Sequence, residues 1–367
     1  NYIFYIFLFF YLTAGLYLSV NTGVTTDELT DQYNWSLSLN AIKDFFGANN
    51  NGYLDLYIYK WKYHGIGFHY FSQIYLIIVG LIVEFEKLPE EITKVLLNHS
   101  LIFITFFLSG IFAKKIVNLL IKDKFFSNIF LIFYLLYPYL LGHGFYNPKD
   151  MPFLLVWILS TYLSIRISIK LYKSTKISFL NIFILSFFTG FLFSIRITGI
   201  LILLQYFITF FITSRVIKLS IYEIIKQHFN KILLFTFFTL LITFIFYPIF
   251  WPNPFLLIDA IQMMRNTPYG VCTLTLGNCM DALNLPSSYI FLWLFFKLPL
   301  LSFIALLLFP FIEKKIFSDL TRQIIFGSIS LTVILIIFLL IFFEVNMYDE
   351  LRHVLFLFPL ILIISFV

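Results

Sequence analysis

Apolar runs long enough to cross a bilayer recur along almost the whole chain, and they restrict the fold more than any other feature. A helix needs about 20 apolar residues to cross a hydrocarbon core about 30 Å thick. Such runs lie at Tyr2–Val20, Val95–Ala113, Phe125–Leu141, Pro152–Ile169, Ile177–Ile195, Gly199–Thr213, Ile232–Phe250, Ser288–Ile312 and Gln323–Phe343, and Val354–Val367 is apolar to the last residue. Charged residues make up 12% of the 367 positions and hydrophobic ones 60%. That charge content is about half of what soluble domains carry. A water-soluble globule cannot hide so much apolar surface, and a disordered chain would carry far less of it. The sequence predicts an all-α polytopic membrane protein, one domain over residues 1–367, with about 10 or more transmembrane helices.

Charge placement sets an orientation. A further apolar stretch, Ile66–Phe85, contains His69, Gln73 and Glu84 and reads as an interfacial helix rather than a span. With it held on one side, alternate connections carry Lys114, Lys115, Lys122 and Lys124; Arg166, Lys170, Lys173 and Lys176; Arg215, Lys218, Lys226 and Lys231; and Lys314, Lys315 and Arg322. Only Asp123, Glu223, Glu313 and Asp319 accompany them. Positive loops stay inside, so the expectation is a cytoplasmic N-terminus. The net charge of +6 then orients the chain, and nucleic-acid binding is set aside.

The opposite side holds the two long connections, residues 21–94 and 251–287. The first is rich in Trp, Tyr and Phe and suits helices lying at the interface. Long loops in a compact protein are usually functional, so chemistry is expected on this extracytoplasmic face. Residue 1 is Asn, and the last apolar run ends at Val367. The expectation is a piece of a longer protein with its final span cut short.

Four constellations on that face could carry chemistry. Thr25-Thr26-Asp27-Glu28 comes directly after the first span. It reads either as a helix start, with Thr26 as cap and acids in the first turn, or as carboxylates poised to deprotonate an acceptor hydroxyl. Gly142-His143-Gly144-Phe145-Tyr146-Asn147-Pro148-Lys149-Asp150 packs turn-forming residues around a His, a Lys and an Asp. Arg196 lies between apolar runs, either snorkelling to the interface or held there for a ligand. Arg352 and His353 precede the last run. They form either a phosphate-binding pair or an interfacial anchor with an internal Asp349–Arg352 contact.

Cys272 and Cys279 lie close together in the second long loop and suit a disulfide in an oxidising compartment, metal ligation being the other reading. No zinc signature, Walker loop or GxGxxG accompanies them. Taken together, outer carboxylates and lipid-edge cations suit a substrate with a phosphate head and a lipid tail.

At these residues the chain resembles the dolichyl-phosphate-mannose protein mannosyltransferases and their bacterial relatives. These are GT-C-type polytopic glycosyltransferases, a group that includes the lipid A aminoarabinose transferases. Asp27-Glu28 resembles the acidic pair of the family's first loop, and Asn147-Pro148-Lys149-Asp150 the Asn-Pro-Lys-Asp stretch of the bacterial branch. Arg196-Ile197-Thr198-Gly199 resembles its Arg-x-x-Gly element and Pro286-Ser287-Ser288-Tyr289 its Pro-x-x-Tyr. Tyr348-Asp349-Glu350-Leu351-Arg352-His353 is similar to its Tyr-Asp-Gly-x-Arg-His, with Glu350 in place of Gly. The matches run in order from Asp27 to His353.

The resemblance implies sugar transfer from a polyprenyl-phosphate donor to a lipid, glycan or protein hydroxyl, in a bacterial plasma membrane with the site facing outward. It implies Asp27 as base, with Glu28 orienting the acceptor or sharing a divalent metal, and Asp150 as a second acid. Arg352, His353, Arg196 and Lys149 would hold the donor phosphate. No cofactor is expected to be required, and Asp27, Glu28 and Asp150 are the residues considered for a metal. Rival readings are a transporter or flippase of a lipid-linked or anionic solute, and a surface-polysaccharide ligase or polymerase.

Overall fold

The computed structural model describes residues 2–47, 51–81, 89–265, 272–316 and 319–367. The uncharged first run forms α1 (Tyr2–Val20), followed by α2 (Thr26–Phe45), α3 (Gly52–Ile58) and α4 (Gly67–Gly80), all three within the first long connection. Helix α2 carries too many polar groups to span. Its cap is Thr25 rather than Thr26: Thr25 is extended, and its N–H and hydroxyl donate to the Glu28 carboxylate at 2.7 and 2.9 Å. Helix α4 occupies 14 residues of the Ile66–Phe85 stretch, too few to cross, and residues 82–85 lie outside the described residues.

The bundle proper begins with α5 (Glu90–Ile121), which places Glu90 and Glu91 at the positive end of its dipole. Next come α6 (Lys124–Leu135), capped by Asp123, and α7 (Pro138–Tyr146). They are followed by α8 (Asp150–Tyr172), α9 (Phe179–Ile195), a 3-10 turn at Ile197–Leu201, α10 (Ile202–Ile217) and α11 (Ile221–Ile245). Ser220 caps α11, with Glu223 bonding back to it. After α12 (Leu256–Arg265) the antiparallel strands β1 (Cys272–Thr275) and β2 (Asn278–Asp281) form a hairpin closed by the expected Cys272–Cys279 disulfide. The chain ends with α13 (Tyr289–Lys297), α14 (Leu300–Ile316), α15 (Leu320–Phe342), a 3-10 segment Arg352–Leu357 and α16 (Phe358–Phe366).

Among the described residues six helices are long and apolar enough to cross a membrane, or up to eight if each of two bent pairs is one span. The apolar runs by themselves suggest about ten. The run Phe125–Leu141 bends by 61° before Pro138, and Ser288–Ile312 bends by 118° at Pro299. Proline offers no N–H and pushes the preceding residue out of the helical region; Leu298 is accordingly extended. Helix α9, with 17 residues, and the segment Arg352–Phe366 fall short of the length criterion.

The packed centre lies along α5 and α8, where Phe103, Phe106, Tyr134 and Trp157 are fully buried. Phe356 brings the C-terminal segment onto Trp157, with ring centroids 4.2 Å apart. Helices α1 and α11 are mostly exposed and apolar, as helices facing lipid are. One end of the bundle gathers basic residues: Lys122 pairs with Asp319 at 2.5 Å, and Arg322 Nε donates to the Leu120 carbonyl at 2.9 Å. At the other end Leu37, Leu56 and Tyr63 of the first long connection pack with Tyr247 and Phe250 and with Leu256 and Ala260 of the second. Helix α8 runs between these ends, covering about 33 Å at 1.5 Å per residue.

Candidate functional site

The site forms at the end of the bundle where α8 begins. Asn147 interrupts the helical path after α7, and its side chain organises the first turn of α8. Its Oδ1 accepts from the Asp150 N–H at 2.9 Å and the Lys149 N–H at 3.3 Å, while its Nδ2 donates to Asp150 Oδ2 at 2.9 Å. The Asn-Pro-Lys-Asp stretch thus fixes the Asp150 carboxylate at the start of the helix, where the dipole favours a negative charge.

Two guanidinium groups meet that carboxylate, whose side chain is only 3% exposed. Arg196 Nη1 bonds to Oδ1 and Arg352 Nε to Oδ2, the latter at 2.8 Å. Arg196 reaches it because the chain leaves helix at that residue (φ −149°, ψ 133°) before the 3-10 turn. Gly199 permits that tight reversal, since a Cβ there would sit 3.0 Å from the Leu192 carbonyl oxygen. Gly65 likewise lets the His64 loop lie directly on the carbonyls of Ser194 and Ile195. Arg352 comes after Asp349 and Glu350, both in the left-handed region with φ of 53° and 61°. Glu350 therefore occupies a backbone shape that suits the glycine of the resembling motif, and its carboxylate pairs with Lys297 at 2.6 Å.

Arg352 also holds Asp27. Its Nη1 lies 2.5 Å from Asp27 Oδ2, and the Asp27 side chain is 54% exposed. The same nitrogen reaches Asp349 at 3.4 Å, so the internal contact of the anchor reading exists beside the longer-range ones. Glu28, one residue on, turns about 100° round the helix and points inward. It is buried, with Oε1 at 2.5 Å from His99 Nε2 on α5, and His99 Nδ1 lies 3.1 Å from the Ser19 carbonyl. Glu28 therefore positions the start of α2 rather than facing the Asp27–Arg352 pair.

Lys149 points away from Asp150. Its ammonium sits 2.6 Å from Asp31 Oδ1 and 3.4 Å from His64 Nδ1. Burial works to raise the Asp31 carboxyl, but Lys149 with His69 outweighs it and holds the group below its usual range. Burial, partly offset by Asp31, pulls the Lys149 ammonium below its usual value. The His64 imidazole is pushed down to about 3 by burial and then by Lys149, and burial takes His69 down to about 4.

Two cavities flank this network. The larger, about 460 Å³, is lined by Asp27, Tyr139, His143, Tyr146, Glu350 and Arg352 among others. The smaller, about 90 Å³, is lined by His64, Lys149, Arg196, Tyr348 and His353, and by the apolar Leu201, Leu340, Val354 and Phe356. Among the described residues the buried His353 Nε2 has no hydrogen-bond partner, and the ring stands edge-on to Tyr348 at 4.4 Å. Asp150 connects the two spaces, since Arg352 lines one and Arg196 the other.

The structure brings Asp27, Asp150, Arg196 and Arg352 into one bonded network, with His353 beside it and Lys149 in an adjoining one. Asp27, Glu28 and Asp150 do not converge on a common point. Among the described residues no group of three or more His, Cys, Asp or Glu is placed to hold a metal ion. Sequence reasoning missed Asp31, His64, His99 and the role of Asn147. Asp31 had a legible signal, lying four residues after Asp27 on the same helical face. His99 lies inside an apolar run, and only the fold brings it to Glu28.

No family model, curated protein or solved structure matches the chain.

Proposed function

We propose that the protein is a membrane glycosyltransferase that moves a sugar from a polyprenyl-phosphate donor to an acceptor hydroxyl. The observation that supports it is Arg352, which joins a half-exposed carboxylate at the larger cleft to a buried carboxylate that in turn holds Arg196. A base and a set of phosphate-binding cations are thereby coupled through one residue. The acceptor enters the larger cleft beside Asp27. The donor phosphate lies toward Arg196, Arg352 and Lys149.

In the reaction the acceptor oxygen attacks the anomeric carbon and gives up its proton to Asp27. The bond from that carbon to the phosphate oxygen breaks, and the electron pair leaves with the polyprenyl phosphate. Attack opposite the leaving group inverts the anomeric centre. A positioned base contributes about 10²–10⁴-fold, and guanidinium groups stabilise the charge growing on the departing phosphate. Donor phosphate competes with Asp27 for Arg352 Nη1, so donor binding releases a carboxylate lone pair for the proton. Asp150 keeps Arg196 and Arg352 oriented, while Asp31 anchors Lys149. We place the site on the extracytoplasmic face of a bacterial plasma membrane and the N-terminus in the cytoplasm, on the charge pattern of the connections.

Native mass spectrometry of the detergent-purified protein tests donor recognition. A bound polyprenyl phosphate, with or without a sugar increment and lost in Arg352→Ala, supports the reading. A protein that stays empty after incubation with polyprenyl-phosphate sugars overturns it.

A further inference from the structure

At the end of the bundle opposite Asp150, helices α8, α9, α10 and α11 line a further, open groove. Its inner part, about 310 Å³, is walled by apolar groups such as Ile167, Leu185, Phe210 and Phe235. Its mouth, about 650 Å³, is polar and includes Lys176, Thr175 and Gln227. Leu171, Ile177, His228 and Lys231 line both parts, so the apolar shaft and the polar mouth adjoin. Helix α11 departs from helical geometry at His228 (φ −117°, ψ 17°), at the level where the two parts meet.

The charge at the mouth has one sign. Lys231 Nζ lies 3.3 Å from His228 Nδ1, and Lys176 is exposed at the rim. No Asp or Glu lines either part. The acid that opens α11, Glu223, already accepts from the Ser220 N–H and hydroxyl at 2.7 and 2.8 Å. Among the described residues neither Lys176 nor Lys231 is ion-paired with a carboxylate. Cations thus stand over an apolar shaft at one end of a set of membrane-length helices. A free phosphate would use the mouth and leave the shaft empty, whereas a bilayer lipid fills both.

We infer that this cavity binds a lipid with an anionic phosphate headgroup, its acyl chain in the shaft and its phosphate between Lys176 and Lys231. The site lies about one α8 length, roughly 33 Å, from the Asp150 network. It does not depend on the glycosyl-transfer reading.

The test uses the full chain purified in mild detergent with equal phosphatidylglycerol and phosphatidylcholine of matched acyl chains. Retained lipid is read by native mass spectrometry at rising collision energy. Each basic side chain near a headgroup is worth about a fivefold change in binding, so phosphatidylglycerol should be held about tenfold or more over phosphatidylcholine. Lys176→Gln together with Lys231→Gln should bring that ratio close to one, while Lys231→Arg should preserve it. Ser168→Leu, which adds a side chain to the shaft, should lose the retained lipid while the protein still unfolds in one cooperative transition. Equal retention of the two lipids by the unaltered protein would overturn the inference. So would a preference that survives the double lysine substitution, or retention indifferent to Ser168→Leu in a folded protein.

Discussion

Arg352 and Asp150 lie 202 positions apart in sequence, yet Nε of the first donates to Oδ2 of the second at 2.8 Å. That bond joins the C-terminal segment to the start of α8, and Arg196 completes the arrangement on the other carboxylate oxygen. Removing the shared acceptor takes from Arg196 its carboxylate partner in a largely buried place, while Arg352 keeps Asp27 and Asp349. Breaking such a pair costs about 3–5 kcal/mol. Asp150→Ala should therefore lower stability by about that amount, with Asp150→Asn less severe because the amide oxygen still accepts. Thermal unfolding in detergent checks this, and an Asp150→Ala protein as stable as the parent would contradict the network's structural weight.

Acid should destabilise the fold before any carboxylate outside the usual range is protonated. The buried imidazoles of His69 and His64 take protons only near pH 4 and 3, against 6.5 for an unperturbed imidazole. As pH falls the unfolded chain binds protons first, so stability is full above about pH 6.5 and declines toward about pH 4. Asp31, held below its usual range, adds a further loss in the same direction at lower pH. The midpoint of thermal unfolding measured from neutral pH to about pH 4 should fall, and His69→Phe should flatten the upper part of that slope. A midpoint constant over this range contradicts the burial of both rings.

At Glu350 the backbone has φ of 61°, where a side chain normally costs about 1–2 kcal/mol. Glycine should therefore be the better small residue there, reversing its usual disadvantage to alanine. Glu350→Gly is expected to be about 1 kcal/mol more stable than Glu350→Ala, both having lost the half-exposed Lys297 contact. Chemical denaturation of the two variants decides it, and alanine the more stable of the pair would contradict the left-handed conformation.

Glu28 is bonded to His99 and to the cap residue Thr25, not to the Asp27–Arg352 pair. Its removal should act as loss of a cap and of a buried hydrogen bond to His99, together about 2 kcal/mol. Glu28→Ala should lower the unfolding midpoint while leaving the effect of added divalent cations or a chelator unchanged. A change in metal response without a change in stability would restore Glu28 to a ligand role.

Much of this architecture is legible because membrane insertion leaves a long-range apolar signature. The helices α1, α5, α8, α11 and α15 fall within or around the apolar runs. The run Phe125–Leu141 reads as one straight helix by hydropathy alone, though Pro138 marks the break. Asp27, Asp150, Arg196 and Arg352 stand out as ionisable groups beside apolar segments, where they are costly unless partnered. Their links are not legible, since the bonds among Asp27, Asp150 and Arg352 depend on how helices remote in sequence pack. The inward turn of Glu28 is hidden for a related reason: adjacency to Asp27 suggests a shared role, whereas a helix sends neighbouring side chains in different directions.

In the proposed reaction Asp27 takes the acceptor proton while the cations hold the donor. Donor binding and single-turnover sugar transfer should be measured side by side for Asp27→Asn and the parent, using a polyprenyl-phosphate sugar that the parent turns over. Asp27→Asn should retain the donor to within a few-fold and transfer the sugar about 10²-fold or more slowly. Transfer at the parental rate in Asp27→Asn would contradict it.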